Sequence, residues 1–129
     1  MTMKDLCVQL THRPSDLARV AQALASRGVN IKALAALKVG PDAMVRILPD
    51  DIVAARGAFE AGNIHFEESE VNTVLIENKA GALAAVADRL GSEGVNLEAV
   101  YLTGIMDDLV EVAFVSDNPK KTKKVLEEF

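Results

Sequence analysis

The apolar positions of this chain change period from two to nearly four and back again, and they do so twice. In "LCVQL", Leu6, Val8 and Leu10 fall on one alternating face, the pattern of a half-buried strand. Leu17, Val20 and Leu24 then recur at i, i+3 and i+7, which predicts the inward stripe of an amphipathic helix. Two extended runs follow, "NIKALAALKV" and "AMVRIL". A second helix starts in "PDDIVAARGAF" with Asp50 as its N-cap, and "NIHFEESE" (Asn63–Glu70) reads as a fourth strand. The order then restarts. "TVLIE" (Thr73–Glu77) is a strand, Leu83, Val86 and Leu90 form a helical stripe, and "NLEAVYLT" and "VEVAFV" are extended. Asn118, with Pro119 in the first helical position, opens a last helix whose apolar side is Val125 and Leu126.

The restart is an internal repeat. At an offset of 66 residues "DLARVAQALASRGVNI" lies over "ALAAVADRLGSEGVNL", matching Val20 to Val86 and Leu24 to Leu90. Further on the offset is 67, as one extra residue in a turn would give, and Val45 matches Val112 while Ile47 matches Phe114. Gly28 and Gly94 stand where a helix stops and the chain turns, which predicts left-handed C-caps. The expected fold class is α+β: two ferredoxin-like βαββαβ repeats, residues 1–70 and 71–129, the second lacking its last strand. An uncovered sheet edge invites pairing, so a homodimer is expected. Arg27 and Lys32 return as Glu93 and Glu98, a charge reversal that would suit a contact between repeats.

The chain of 129 residues is 50% hydrophobic and 26% charged, with a formal net charge of −5. That balance speaks against a nucleic-acid partner, which needs a concentrated positive surface. No apolar run approaches the roughly 20 residues that cross a bilayer, and the start carries no export pattern, so no membrane partner and a cytoplasmic location are expected. Cys7 is alone and reads as a small buried hydrophobe. His12 and His65 have no carboxylate cluster around them, so neither a metal nor another cofactor is expected. His12 and Ser15 are the one conceivable catalytic pair, yet they share a single loop rather than a cleft, and the chain reads as no enzyme.

The loops between first strand and first helix carry the most information: "LTHRPSDL" in the first half and "IENKAGAL" in the second. With "GVNI" and "GVNL" behind each helix, they make the chain resemble a tandem ACT-domain protein. That family shows an Asn or Asp and then "xPG" at this loop, and "GxNI" where the second strand begins. Here Ala80 replaces the proline of one loop and Ser15 the glycine of the other. The resemblance implies a non-catalytic, allosteric regulator that binds a small ligand, an amino acid, between paired repeats. Carried over, Asn78, Gly81, Ala82 and Leu83 would face Asn30 and Ile31, and His12 and Ser15 would face Asn96 and Leu97. A metabolic enzyme would be the partner that receives the signal.

The chemistry of the residues agrees with this reading. The first turn of a helix presents unpaired N–H groups and about half a positive charge, suited to a carboxylate. A glycine at its mouth lets the ligand approach the backbone. Asparagine offers a donor and an acceptor to a zwitterion. Plainer readings stay open: the asparagines satisfy a turn, Gly81 is only a loop residue, and the chain is a ligand-free oligomerisation module.

Overall fold

The computed structural model describes residues 2–11 and 15–129. Its strands are β1 (Thr2–Leu10), β2 (Ile31–Val39), β3 (Asp42–Pro49), β4 (Glu67–Glu77), β5 (Leu97–Met106) and β6 (Leu109–Ser116). Its helices are α1 (Asp16–Ala25), α2 (Ile52–Ala61), α3 (Ala82–Ser92) and α4 (Pro119–Leu126). The chain divides into two compact units, Lys4–Ser69 and Glu70–Phe129, and Thr2 and Met3 belong with the second.

In the first unit β3 lies between β1 and β2, antiparallel to both. Leu6 pairs with Ile47 and Val8 with Val45, so the alternation read from the sequence points one face of the sheet toward the helices. That face, with Val20 and Leu24 of α1 and Ala55, Ala58 and Phe59 of α2, makes the first core. The second unit repeats the plan. β6 lies between β4 and β5, Val74 pairs with Val112, and Val86, Leu90, Phe114, Val125 and Leu126 close the second core. The fold is therefore α+β, with two ferredoxin-like repeats. Gly28 and Gly94 have φ of +68° and +74°, the left-handed turns expected after α1 and α3.

Several details depart from the sequence reading. The fourth strand of the first repeat and the first strand of the second are one uninterrupted strand, β4. "EESEVNTVLIE" holds no glycine or proline, so nothing interrupts the extended backbone. Asn63, at φ +54°, turns the chain after α2, and Ile64 goes into the first core, so that stretch precedes the strand. The second unit takes in the first residues of β1, Thr2 and Met3, and among the described residues no strand follows α4. The extra residue behind the 67-residue offset lies not in a turn but within β5. The β5–β6 register slips between Leu102 and Gly104, and Thr103 bulges there with its hydroxyl on Glu111.

Capping differs too. The N-cap of α2 is Asp51, whose carboxylate accepts from the Ala54 N–H at 3.0 Å. Asp50 instead accepts from the Asn30 N–H at 3.0 Å, so the neighbouring carboxylate is left to cap the helix. Asn118 does cap α4, accepting from the Lys121 N–H at 3.1 Å. Cys7 is half-buried on the sheet face opposite the first core, paired with Arg46, and burial pushes its thiol pKa up. Leu17 and Leu83, expected to point inward, are 39% and 45% exposed at the first turns of α1 and α3.

Candidate functional site: the mouth of helix α3

Between β4 and α3 the chain turns in four residues, Asn78 to Gly81. The Asn78 N–H donates to the Asp108 carbonyl at 2.6 Å, tying the loop to the β5–β6 turn. The Lys79 N–H donates to Glu77, and the Ala82 N–H donates back to Lys79 at 3.3 Å. Gly81 completes the turn at φ +89°, a conformation that costs an L-residue about 1–2 kcal/mol. It is the N-cap of α3 and has no side chain with which to cap it. No other atom comes within 4 Å of where its Cβ would be, so the backbone here is open to approach. The helices α2 and α4, by contrast, are closed by Asp51 and Asn118. The α3 mouth thus offers donors and a partial positive charge, with exposed Leu83, exposed Asn78 and half-buried Ala82 around it.

The first loop is built differently. Ser15 is the N-cap of α1 and makes no side-chain cap bond. Asp16 reaches back instead: its carboxylate accepts from the Thr11 N–H at 2.9 Å and from the Thr11 hydroxyl. This loop therefore carries a carboxylate of its own beside the helix start. His12 lies outside the described residues, and the pairing of His12 with Ser15 with it.

The two "GVN" asparagines also differ. The Asn96 N–H donates to Asp117 Oδ1 at 3.1 Å, its side-chain Nδ2 donates to Asp117 Oδ2 at 3.0 Å, and Asp117 returns an N–H to the Asn96 carbonyl. This fastens the start of β5 to the end of β6, the structural role that turn asparagines fill. Asn30 makes the same backbone exchange with Asp50, but its exposed side-chain amide has no hydrogen-bond partner among the described residues. The sequence reading gave Asp50 a capping role and missed Asp117; each follows the "GVN" triplet by about 20 residues, with no local pattern to mark its bond to the asparagine.

Those hydrogen bonds from Asn96 hold the Asp117 carboxyl below its ordinary pKa. A depressed folded pKa contributes stability that is present above the unfolded value, about 3.9, and lost as pH falls through the folded one. Asn96→Ala is expected to move the Asp117 titration back toward the ordinary value, read from its carboxyl carbon shift by NMR. An unchanged titration would mean that the amide does not hold the carboxylate.

Asn78, Gly81, Ala82 and Leu83 thus share the α3 mouth, whereas Asn96 and Leu97 follow the other end of the same 11-residue helix. A helix of that length spans about 16 Å, so one repeat does not bring its own loop and "GVN" asparagine together. Ser15 stands likewise at the opposite end of α1 from Asn30 and half-buried Ile31. No group of three or more metal-ligating side chains occurs among the described residues. No helix among them is long and apolar enough to cross a membrane.

The sequence matches no protein-family model and no curated protein. Its structure is similar over 99% of the chain to a protein from Bacteroides thetaiotaomicron, covering 88% of that chain at 26% identity with a TM-score of 0.88. It is similar over 98% of the chain to the regulatory subunit of aspartate kinase from Thermus thermophilus in its ligand-free form, covering 91% of that chain at 16% identity and a TM-score of 0.66. The corresponding subunit from Thermus flavus gives 18% identity and a TM-score of 0.65 over the same shares of the two chains. The fold is ACT-like.

Proposed function

We propose that this chain is a non-catalytic regulatory protein that binds an amino acid at the mouth of α3, closed over by an asparagine from a second repeat. The observation that carries this reading is the uncapped α3 start, with Gly81 at φ +89° and open space above it. A ligand carboxylate would rest on the first-turn N–H groups, with the Asn78 amide beside it. Because Asn96 stands at the far end of α3, the second asparagine comes from another repeat. Asn30 suits the role, since its side chain is free among the described residues while that of Asn96 is committed to Asp117. The sister site is the weaker one: its loop already holds the Asp16 carboxylate, and its partner would be the committed Asn96.

A likeness in fold to regulatory subunits of a kinase supports a role in which the signal passes to an enzyme partner. The outer strand β5 supports pairing of chains into a homodimer, because Leu102 and Ile105 on it are 55% and 67% exposed. In this reading ligand binding favours one arrangement of the paired repeats.

Thermal unfolding against each of the twenty amino acids tests the reading. A ligand at 100 times its dissociation constant adds about 2.7 kcal/mol and raises the midpoint by several degrees. Gly81→Val is expected to abolish that rise and to lower the ligand-free midpoint only by its φ strain, about 1–2 kcal/mol. If no amino acid raises the midpoint, the chain acts as a pairing module without a ligand.

A further inference from the structure

Beside the α3 mouth lies an open cleft of about 360 Å³, floored by Ile76 and walled by Leu75, Ala85, Leu109 and Phe129. Glu77 and Lys79 stand at its rim. In the first unit a cleft of about 290 Å³ is floored by Leu10 and walled by Gln9, Arg19, Asp42 and Asn63, with Thr11 at its rim. These are the same places in the duplicated unit. Gln9, Leu10, Thr11 and Arg19 precede Leu75, Ile76, Glu77 and Ala85 by 66 residues, and Asp42 precedes Leu109 by 67. The floor stayed apolar in both, while the three matched walls changed from Gln9, Arg19 and Asp42 to Leu75, Ala85 and Leu109.

In the first cleft the Gln9 amide donates to Asp42 Oδ2 at 3.2 Å. In the second those two positions are Leu75 and Leu109, 42% and 36% exposed. Exposed leucines at two matched positions gain nothing from facing water, whereas they would gain from an apolar group laid between them. The rim supplies the complementary polar ends. Lys79 and Glu77 pair at 3.0 Å but are each 65% exposed, so their mutual hold is weak and opens readily to an ammonium and a carboxylate. The cleft is also at the small end of ligand pockets, which run about 300–1,000 Å³, a size that suits an amino acid rather than a nucleotide.

We infer that the two clefts, copies of one ancestor, have diverged in ligand class, and that the second takes an amino acid with an apolar side chain while the first does not. This rests on the reading of the α3 mouth as a carboxylate site and adds what selects the side chain. The ligand carboxylate rests on the α3 mouth beside Lys79, its ammonium faces Glu77, and its side chain lies on Ile76 between the two leucines.

Calorimetric titration of the full chain with leucine, phenylalanine, glutamine, aspartate and lysine tests it. Leucine or phenylalanine is expected to bind at one site per chain, roughly tenfold or more tighter than the polar three. The double variant Leu75→Gln/Leu109→Asp copies the first cleft into the second at solvent-exposed positions. It is expected to keep the ligand-free thermal midpoint and to lose that preference. Polar amino acids binding more tightly, two apolar ligands per chain, or an unchanged preference in the double variant would overturn the selectivity while leaving an amino-acid site in place. Heat from none of the five would overturn the selectivity, and the reading beneath it falls with it only if none of the twenty amino acids raises the thermal midpoint.

Discussion

Phe114→Ala is expected to destabilise the protein by about 3–5 kcal/mol, among the largest effects of any single truncation in the chain. Phe114 is 1% exposed and its ring fills the second core among Val86, Leu90, Val112, Val125 and Leu126. Removing it forfeits the transfer energy of an aromatic side chain and leaves a cavity that α3 and α4 must collapse to close. A whole domain has only about 5–15 kcal/mol to lose, and a unit of about 60 residues buries too little surface to absorb such a loss easily. Urea denaturation should show the midpoint falling in proportion, and thermal unfolding a Tm lower by on the order of 10–20 °C. A cost below about 1 kcal/mol would mean that the helices do not pack on β6 as described.

Arg46→Met should have a comparable effect for an electrostatic reason. Asp5 is fully buried on the sheet face opposite the first core, and Arg46 Nη1 reaches both of its carboxylate oxygens at 3.2 Å. Taking away the guanidinium removes the counter-charge of a fully buried carboxylate, a change that costs about 3–5 kcal/mol. Replacing both residues, Asp5→Leu with Arg46→Met, is expected to recover much of that loss, since two apolar groups need no compensation. The cycle of single and double variants isolates the pair. If Arg46→Met is neutral, or the double variant is worse than the sum of the singles, the buried pair is not what holds Asp5 in place.

The period of the apolar residues reports the fold well because burial on one face is what it encodes. Val45 and Ile47 alternate toward one core and Val112 and Phe114 toward the other, as the sequence pattern requires. The duplication was legible because the same physical demands, a left-handed turn at Gly28 and Gly94 and a stripe at Val20, Leu24, Val86 and Leu90, recur at one spacing. What the pattern missed depends on tertiary neighbours. Leu17 and Leu83 continue the helical stripe, yet they lie at the helix mouths and remain exposed. Asp50 and Asp51 are chemically equal in the sequence, and only the position of the Asn30 N–H decides which of them caps α2. The β5 bulge needs a paired strand to be visible at all.

The site was legible at the α3 loop and less so elsewhere. "ENKAGAL" announces a turn that opens a helix, and Gly81 adopts the left-handed backbone that such a turn requires. At the reversed charges, Glu93 pairs with Arg89 at 3.3 Å within its own repeat, and the Arg27 Nη1 lies 3.4 Å from where a Cβ on Gly57 would stand. The cleft walls were invisible because Leu75, Ala85, Leu109 and Phe129 come from separate elements and share no motif.

The most direct test is an amide NMR titration of the full chain with its tightest-binding amino acid. The account predicts that the Leu83 and Ala84 N–H resonances shift and saturate together, and that they stay still when the same amino acid is added to Gly81→Val. Saturable binding that moves other amides while those two remain in place would contradict it.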